Sequence, residues 1–187
     1  MKELEENIFF NRENLRSCGR NVIIGKTVRI RHPELVDLGD NVIIDDFTMI
    51  SGSVVIGDYV HIGSSCSLQA GSSTISIGSH SGLGAGVRIF AVSADFLRCS
   101  FDSACYPRDL ISGAIIKKVS IDKYNMIGAN SVILPGVVLP EGFACSTNSN
   151  LADNHLYKPW HLLTQNPLFE CRRLFKNEFL ERIKSLS

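Results

Sequence analysis

The sequence predicts an all-β solenoid, a parallel β-helix assembled from six-residue units. Three observations carry that prediction. Aliphatic residues recur every six positions through two long stretches of the 187-residue chain. A glycine or aspartate often follows the recurring residue, and a small or β-branched side chain usually stands four places after it.

Residues 1–20 form an N-terminal segment, and the repeat occupies residues 21–152. Ile24 and Ile30 look like an early pair of anchors. The unbroken series is Leu38, Ile44, Ile50, Ile56, Ile62 and Leu68. After three extra residues it resumes at Ile77, Leu83 and Ile89, and it returns at Ile121, Ile127, Ile133, Leu139, Cys145 and Leu151. Fourteen of these fifteen anchors are Ile or Leu. A period of six fits neither an α-helix nor a plain strand; it fits a short strand followed by a bend. The residues after the anchor (Gly39, Asp45, Gly57, Gly63, Gly78, Gly84, Asp122, Gly128) suit that bend. The residues four past it (Thr48, Val54, Val60, Cys66, Ser81, Val87, Ser131, Val137) point inward with the next anchor, and the residue between them points out. Three such units close a triangular coil, and stacked coils pair edge to edge as parallel sheets.

Two regions leave the period. Residues 90–114 read as a loop ejected between coils, and loops of that length in compact domains are usually functional. Residues 153–187 form a C-terminal extension. Within it, 167–186 set Leu168, Cys171, Phe175, Phe179 and Ile183 on one helical stripe behind Pro167. The expectation is an amphipathic helix that covers an exposed sheet edge.

Charge is balanced, with 19 Lys and Arg against 19 Asp and Glu, which favours neither nucleic acid nor an anionic membrane surface. The first residues, Met1-Lys2-Glu3-Leu4-Glu5-Glu6, lack the apolar core of a signal peptide. No segment is long enough to span a bilayer, so the expected location is cytoplasmic. The six cysteines match no zinc ribbon or disulfide framework. Cys66 and Cys145 fall on inward positions as small core residues, whereas Cys99 and Cys105 lie in the loop with no His near them in sequence.

Fixing the coil register singles out polar neighbours. The unit starting at Ile56 should stack under that starting at Ile77, and that in turn under one starting at Ile115. The outward residues are then His61, Gly82 and Ser120, with Ile43 below and Val138 above. His61 points off a flat face, and Gly82, about 4.8 Å above it, adds no side chain. The result is an open notch, bordered by His80 at a turn. An outward His on a solenoid face is either solvated, part of a contact between copies, or a general base with a pKa near neutrality. His32, before Pro33, is read as structural, and His155 and His161 as surface residues past the last coil. A zinc site would need three clustered histidines, and only His61 and His80 lie close.

The run Ile56-Gly57-Asp58-Tyr59-Val60-His61-Ile62, the later Ser93-Ala94-Asp95-Phe96, and Ile127-Gly128-Ala129-Asn130-Ser131-Val132-Ile133-Leu134-Pro135-Gly136-Val137 resemble hexapeptide-repeat acetyltransferases. The resemblance covers about residues 20–173, and its closest branch is bacterial enzymes that acetylate sugars for cell-surface polysaccharides such as lipopolysaccharide. It implies a left-handed β-helix, acetyl-CoA as acyl donor with no metal, a sugar acceptor, and a homotrimer with active sites between subunits. Carried onto this chain, it implies that the turns at Gly128-Ala129 and Ser146-Thr147 meet the pantetheine arm. It also implies that Arg172 and Arg173 meet the CoA phosphates. The base is a His that takes a proton from a sugar hydroxyl or binds its amine, while a backbone N–H stabilises the oxyanion.

Maltose- and galactoside-type relatives carry their base as a His in the ejected loop, where this chain has Ala94. The related sugar branch usually reads S-D-D-Y there, so Ala94 stands for Asp and Phe96 for Tyr. In that branch the His of the strand is the plausible base, here His61, with His80 and Gly82 beside the acceptor. Asp95 either orients that base, contacts sugar hydroxyls or caps the loop. Pro159-Trp160 and Asn166-Pro167 echo a "PW…GNP" segment, with Gln165 in place of Gly. Two other readings stay open: a zinc-dependent hydratase of the carbonic-anhydrase type, and a non-catalytic trimeric scaffold.

Overall fold

In the computed structural model, which describes residues 7–97, 105–107, 109–165 and 168–185, the chain winds as a parallel β-helix. Cys99 and Pro167, both singled out in the sequence, lie outside the described residues. One face is built from Ile23–Ile24, Ile43–Ile44, His61–Ile62, Gly82–Leu83, Met126–Ile127, Ala144–Cys145 and His161–Gln165, each paired in parallel with the next. The other two faces share a sheet, because the strands Met49–Ile56 and Ser67–Ile77 run round a corner without a break. The three extra residues before Ile77 are absorbed there, where the pairing slips between Ser51, Gly52 and Ser53.

The anchors are the core. Ile44, Ile50, Ile62, Leu68, Ile89, Ile133 and Leu151 are wholly buried, and each alternate residue faces out as the pleat requires. Burying an aliphatic side chain stabilises by about 1.5–3 kcal/mol, and the coil repeats that gain at every corner. Cys66 and Cys145 are buried as expected. With Thr48, Ser131 and Ser149, Cys66 donates to a bend carbonyl inside the coil: to Gly84 O for Cys66, and to Gly63, Gly128 and Ser146 O for the hydroxyls.

The loop expected over 90–114 is tighter at both ends. Arg88–Phe90 belongs to the coil, and Val92–Ser93 pairs antiparallel with Ile115–Ile116 to close a narrow neck. Ile115 is therefore not the start of a stacked unit. The coil resumes with the strand Val119–Ile121, whose anchor Ile121 pairs directly with Ile77. Above Gly82 stands Met126, not Ser120, and then Ala144, not Val138. Ser120 and Val138 pair on a different face. A neck whose strands leave the coil cannot also supply its anchors.

The C-terminal helix is shorter than expected, spanning Lys176–Lys184. Leu168–Arg172 is a strand, antiparallel to His161–Gln165, because the last rung of the solenoid would otherwise leave its N–H and C=O groups unpaired. Gln165 closes a neighbouring open edge. Its side-chain amide accepts from Asn150 N–H at 2.7 Å and donates to Asn150 O at 2.6 Å, taking the place of one more strand residue.

A corner column runs beside the His61 face. Asn21, Asn41, Tyr59, His80, Tyr124 and Trp160 all adopt positive φ, between 55° and 65°, which Asn tolerates and an aromatic residue rarely does. Ring stacking offsets that cost: Tyr59 on His80 at 4.9 Å and His80 on Tyr124 at 5.4 Å. Gly142 leaves the space that the Trp160 indole fills to reach Tyr124, and Phe179 of the helix packs edge-on against both rings.

Candidate active site

His61 is the first residue of a two-residue strand whose other member, Ile62, is buried, so its ring points outward. Ile43 lies directly below and Gly82 directly above. The His61 Nε2 is 2.8 Å from Asp45 Oδ2, and both side chains are about half exposed. A carboxylate only accepts, so the neutral ring carries its proton on Nε2 and leaves Nδ1 as the basic nitrogen. Held in this way, the ring turns Nδ1, a proton-accepting atom, to the mouth of the notch.

Asp45 was missed from sequence, although the register held the signal. Ile43 pairs with His61 and Ile44 with Ile62, so Asp45, the next outward residue, is a diagonal neighbour of His61. Above Asp45, one place past the paired anchors Ile62, Leu83 and Ile127, come Gly63, Gly84 and Gly128. The flank of the notch thus has no side chains. Met126 was also missed, because the coil above Gly82 was assigned to Ile115.

The other singled-out residues fall in three places. His80 lies within the corner column that runs beside the His61 face, between Tyr59 and Tyr124; burial lowers its pKa, partly opposed by Asp58. Asp95 accepts from Leu97 N–H at 3.0 Å, a loop-capping contact at the exit of the neck. Gly128, Ala129, Ser146 and Thr147 lie together on successive bends, with Gly128 N–H donating to Cys145 O and Asn148 N–H to Ala129 O. A Cβ at Gly128 would overlap the Ser146–Thr147 backbone, so coil stacking alone demands glycine there.

Arg173 and Arg172 both line the cleft at the C-terminal end, and they differ in burial. Arg173 is half-buried with its pKa lowered by that burial; it donates to Tyr124 O and Gly142 O, both at 2.9 Å, and lies over the Trp160 ring. It ties the C-terminal segment to the coils. Arg172 is exposed and lines an open cleft of about 700 Å³ with Lys158, Trp160, His161 and Lys176. Lys158 is paired with Glu170 at 2.7 Å, and Lys176 sits 4.7 Å above the Trp160 ring. Among the described residues no group of three or more His, Cys, Asp or Glu is placed to hold a metal ion. Among them, too, no helix is long and apolar enough to cross a membrane.

A stacked parallel coil, a carboxylate-held imidazole under a glycine and a basic cleft at the C-terminal end define a class. The bacterial transferase hexapeptide family, described by six repeats, matches residues 36–70, the stretch that carries Asp45 and His61. AntD, an N-acyltransferase from Bacillus cereus solved with dTDP and 3-hydroxybutyryl-CoA, is 30% identical, with a TM-score of 0.84 over 97% of this chain and 99% of its own. The chain belongs to the hexapeptide-repeat acyltransferases. The dTDP-4-amino-4,6-dideoxy-D-glucose acyltransferase of Escherichia coli is 29% identical over 135 residues, 69% of this chain and 68% of the relative. A maltose O-acetyltransferase from Clostridium difficile 630, at 16% identity and a TM-score of 0.58 over 88% of this chain and 73% of its own, shares the fold.

Proposed function

We propose that the chain transfers a short acyl group, acetyl in the first instance, from coenzyme A to the amine of a sugar carried on dTDP, with His61 as general base. The observation that carries this is the 2.8 Å contact of His61 with Asp45 beneath the bare Gly82. The acceptor class follows the relatives. The Escherichia coli protein is an acyltransferase of a dTDP-amino sugar, and a mutant of AntD was solved with dTDP-4-amino-4,6-dideoxyglucose and coenzyme A.

In this reading the sugar amine attacks the thioester carbonyl, forming a C–N bond, and its proton passes to Nδ1 of His61. Asp45 stabilises the imidazolium. The C–S bond then breaks, and the imidazolium returns the proton to the departing sulfur. The pantetheine arm follows Ser146-Thr147 and Gly128-Ala129 down to the notch. Arg172, Arg173 and Lys176, which line the C-terminal cleft, meet the CoA phosphates. Asp95 and His80 border the acceptor.

The working unit is a homotrimer with its sites between subunits, and the half-exposed Ile23, Ile43 and Met126 in the column of His61 are the apolar surface that a neighbouring copy would cover. Coenzyme A and nucleotide sugars place the reaction in the cytoplasm, ahead of surface-polysaccharide assembly. The test is transfer from acetyl-CoA to a panel of dTDP-amino sugars and their hydroxyl counterparts, followed by thiol release, with sedimentation to measure the mass. Product on the amino sugars and a trimer support the reading. Thiol release on none of them refutes it.

A further inference from the structure

The C-terminal cleft has one wall on the solenoid and the other on the helix Lys176–Lys184. Lys158, His161 and Arg172 line it from the solenoid side, and Lys176, Asn177 and Glu178 from the helix side. Lys158 is paired with Glu170. That leaves Arg172, Arg173 and Lys176 against Glu178, the one carboxylate in the lining among the described residues.

The helix wall is held lightly. Its nine residues fall short of the roughly 12–15 that a helix needs to be even marginally stable in water alone. No side chain caps its first turn, and none of its residues is buried. Among the described residues, none of 176–183 makes a hydrogen bond or ion pair to the coils. Rings hold it instead. Phe179 is edge-on to Tyr124 at 5.6 Å and packs on Trp160 at 6.3 Å, and Lys176 lies 4.7 Å from the centre of the Trp160 ring.

The chain just before the helix is pinned. Arg173 donates to Tyr124 O and Gly142 O from its guanidinium and to Trp160 O from its N–H. Two residues on, Phe175 has a φ of 57° with its ring 72% exposed, so no packing offsets the left-handed backbone there. A strained junction between a fixed residue and a lightly held helix is where rotation concentrates.

We propose that the helix is a hinged wall that turns about Leu174 and Phe175 and closes on the phosphates of the acyl donor, with Phe179 as the latch that positions Lys176 against them. This rests on the acyl-transfer reading above. With the helix open, Arg172 and Arg173 meet the anion from the solenoid. Closure adds Lys176, and the anion offsets the repulsion among the three cations. The donor therefore binds the closed form more tightly, and that difference shifts the population towards it. Phe179 touches no substrate and acts through Lys176.

The test is hydrogen exchange at the amides of 176–184 with and without CoA, together with kcat and KM for acetyl-CoA in wild type, Phe179→Ala and Phe179→Tyr. Saturating CoA should slow exchange across the helix by about tenfold or more, because the ligand opposes the opening that exposes these amides. Pantetheine, which lacks the phosphates, should leave it unchanged. Phe179→Ala should raise KM about two- to tenfold, the worth of one aromatic contact, with kcat held within about twofold. Phe179→Tyr, which keeps the ring, should restore the KM of wild type. A wild type that binds CoA by calorimetry with its helix exchange unmoved, or a Phe179→Ala variant with unaltered KM, overturns the hinged wall. Failure of CoA to bind at all overturns the acyl-transfer reading instead, so the two failures are distinguishable.

Discussion

Replacing Gly128 and Gly82 by alanine should give opposite results, although the two lie one rung and two residues apart on the same face. At Gly128 a Cβ would fall within 3.0 Å of the Ser146 carbonyl carbon and the Thr147 nitrogen, a separation real Cβ atoms essentially never show. The rungs must move apart, and overpacking of that kind costs about 1–3 kcal/mol. The same movement lengthens the bond from Gly128 N–H to Cys145 O, now 3.0 Å, for about 1 kcal/mol more. The total of about 2–4 kcal/mol lowers the melting temperature of a chain this long by about 4–16 °C. At Gly82 the only contact is the Met126 thioether, and the loss of unfolded-state freedom should leave the alanine variant equal to wild type or more stable by about 0.4–1 kcal/mol. Thermal melts followed by circular dichroism at one protein concentration give both values. A Gly128→Ala variant that melts within about 1 °C of wild type would refute the steric account and return Gly128 to a ligand-binding role alone.

Gln165→Ala removes the two bonds that close Asn150 and should cost about 1 kcal/mol, with hydrogen exchange at the Asn150 amide accelerated and the rungs below it unchanged. Burial raises the thiol pKa of Cys66 and Cys145 above the usual 9.0. A thiol reagent should therefore label exposed Cys18 at once and these two only on unfolding, and their contribution to stability, complete below pH 9, should be lost as the pH rises beyond it. Side-chain hydrogen bonds from Arg16, Arg20 and Thr27 lower the pKa of Asp37, Asp40 and Asp46 below 3.8. Their contribution is present above that value and lost as pH falls through the depressed ones, so acid should open the N-terminal coils first, as read by pulsed hydrogen exchange.

Periodicity carried most of the fold. An inward anchor every sixth residue has no other economical packing, so Leu38 to Leu68 and Ile121 to Leu151 placed themselves, and His61 under Gly82 followed by counting. Counting failed where the chain left the coil. The neck of Val92–Ser93 with Ile115–Ile116 consumes an isoleucine that imitates an anchor, and this displaced the rungs above Gly82 and concealed Met126. The C-terminal segment failed for another reason: Leu168 and Cys171 suit a helical stripe, yet the unpaired edge of His161–Gln165 demands a strand, and tertiary pairing outweighs local pattern. Asp45 was legible once diagonal neighbours were considered together with direct ones. The structural duty of Arg173 was not, because nothing in sequence places Tyr124 and Gly142 beside it.

The most direct test of the central claim is the rate of acetyl transfer from acetyl-CoA to a dTDP-amino sugar by wild type and by His61→Ala, with the coils of the variant verified by an unchanged melt. A general base contributes about 10²–10⁴-fold, so the variant should lose at least about 100-fold in turnover while its mass in solution stays that of wild type. Undiminished turnover in the folded variant would contradict the account and remove His61 from the chemistry.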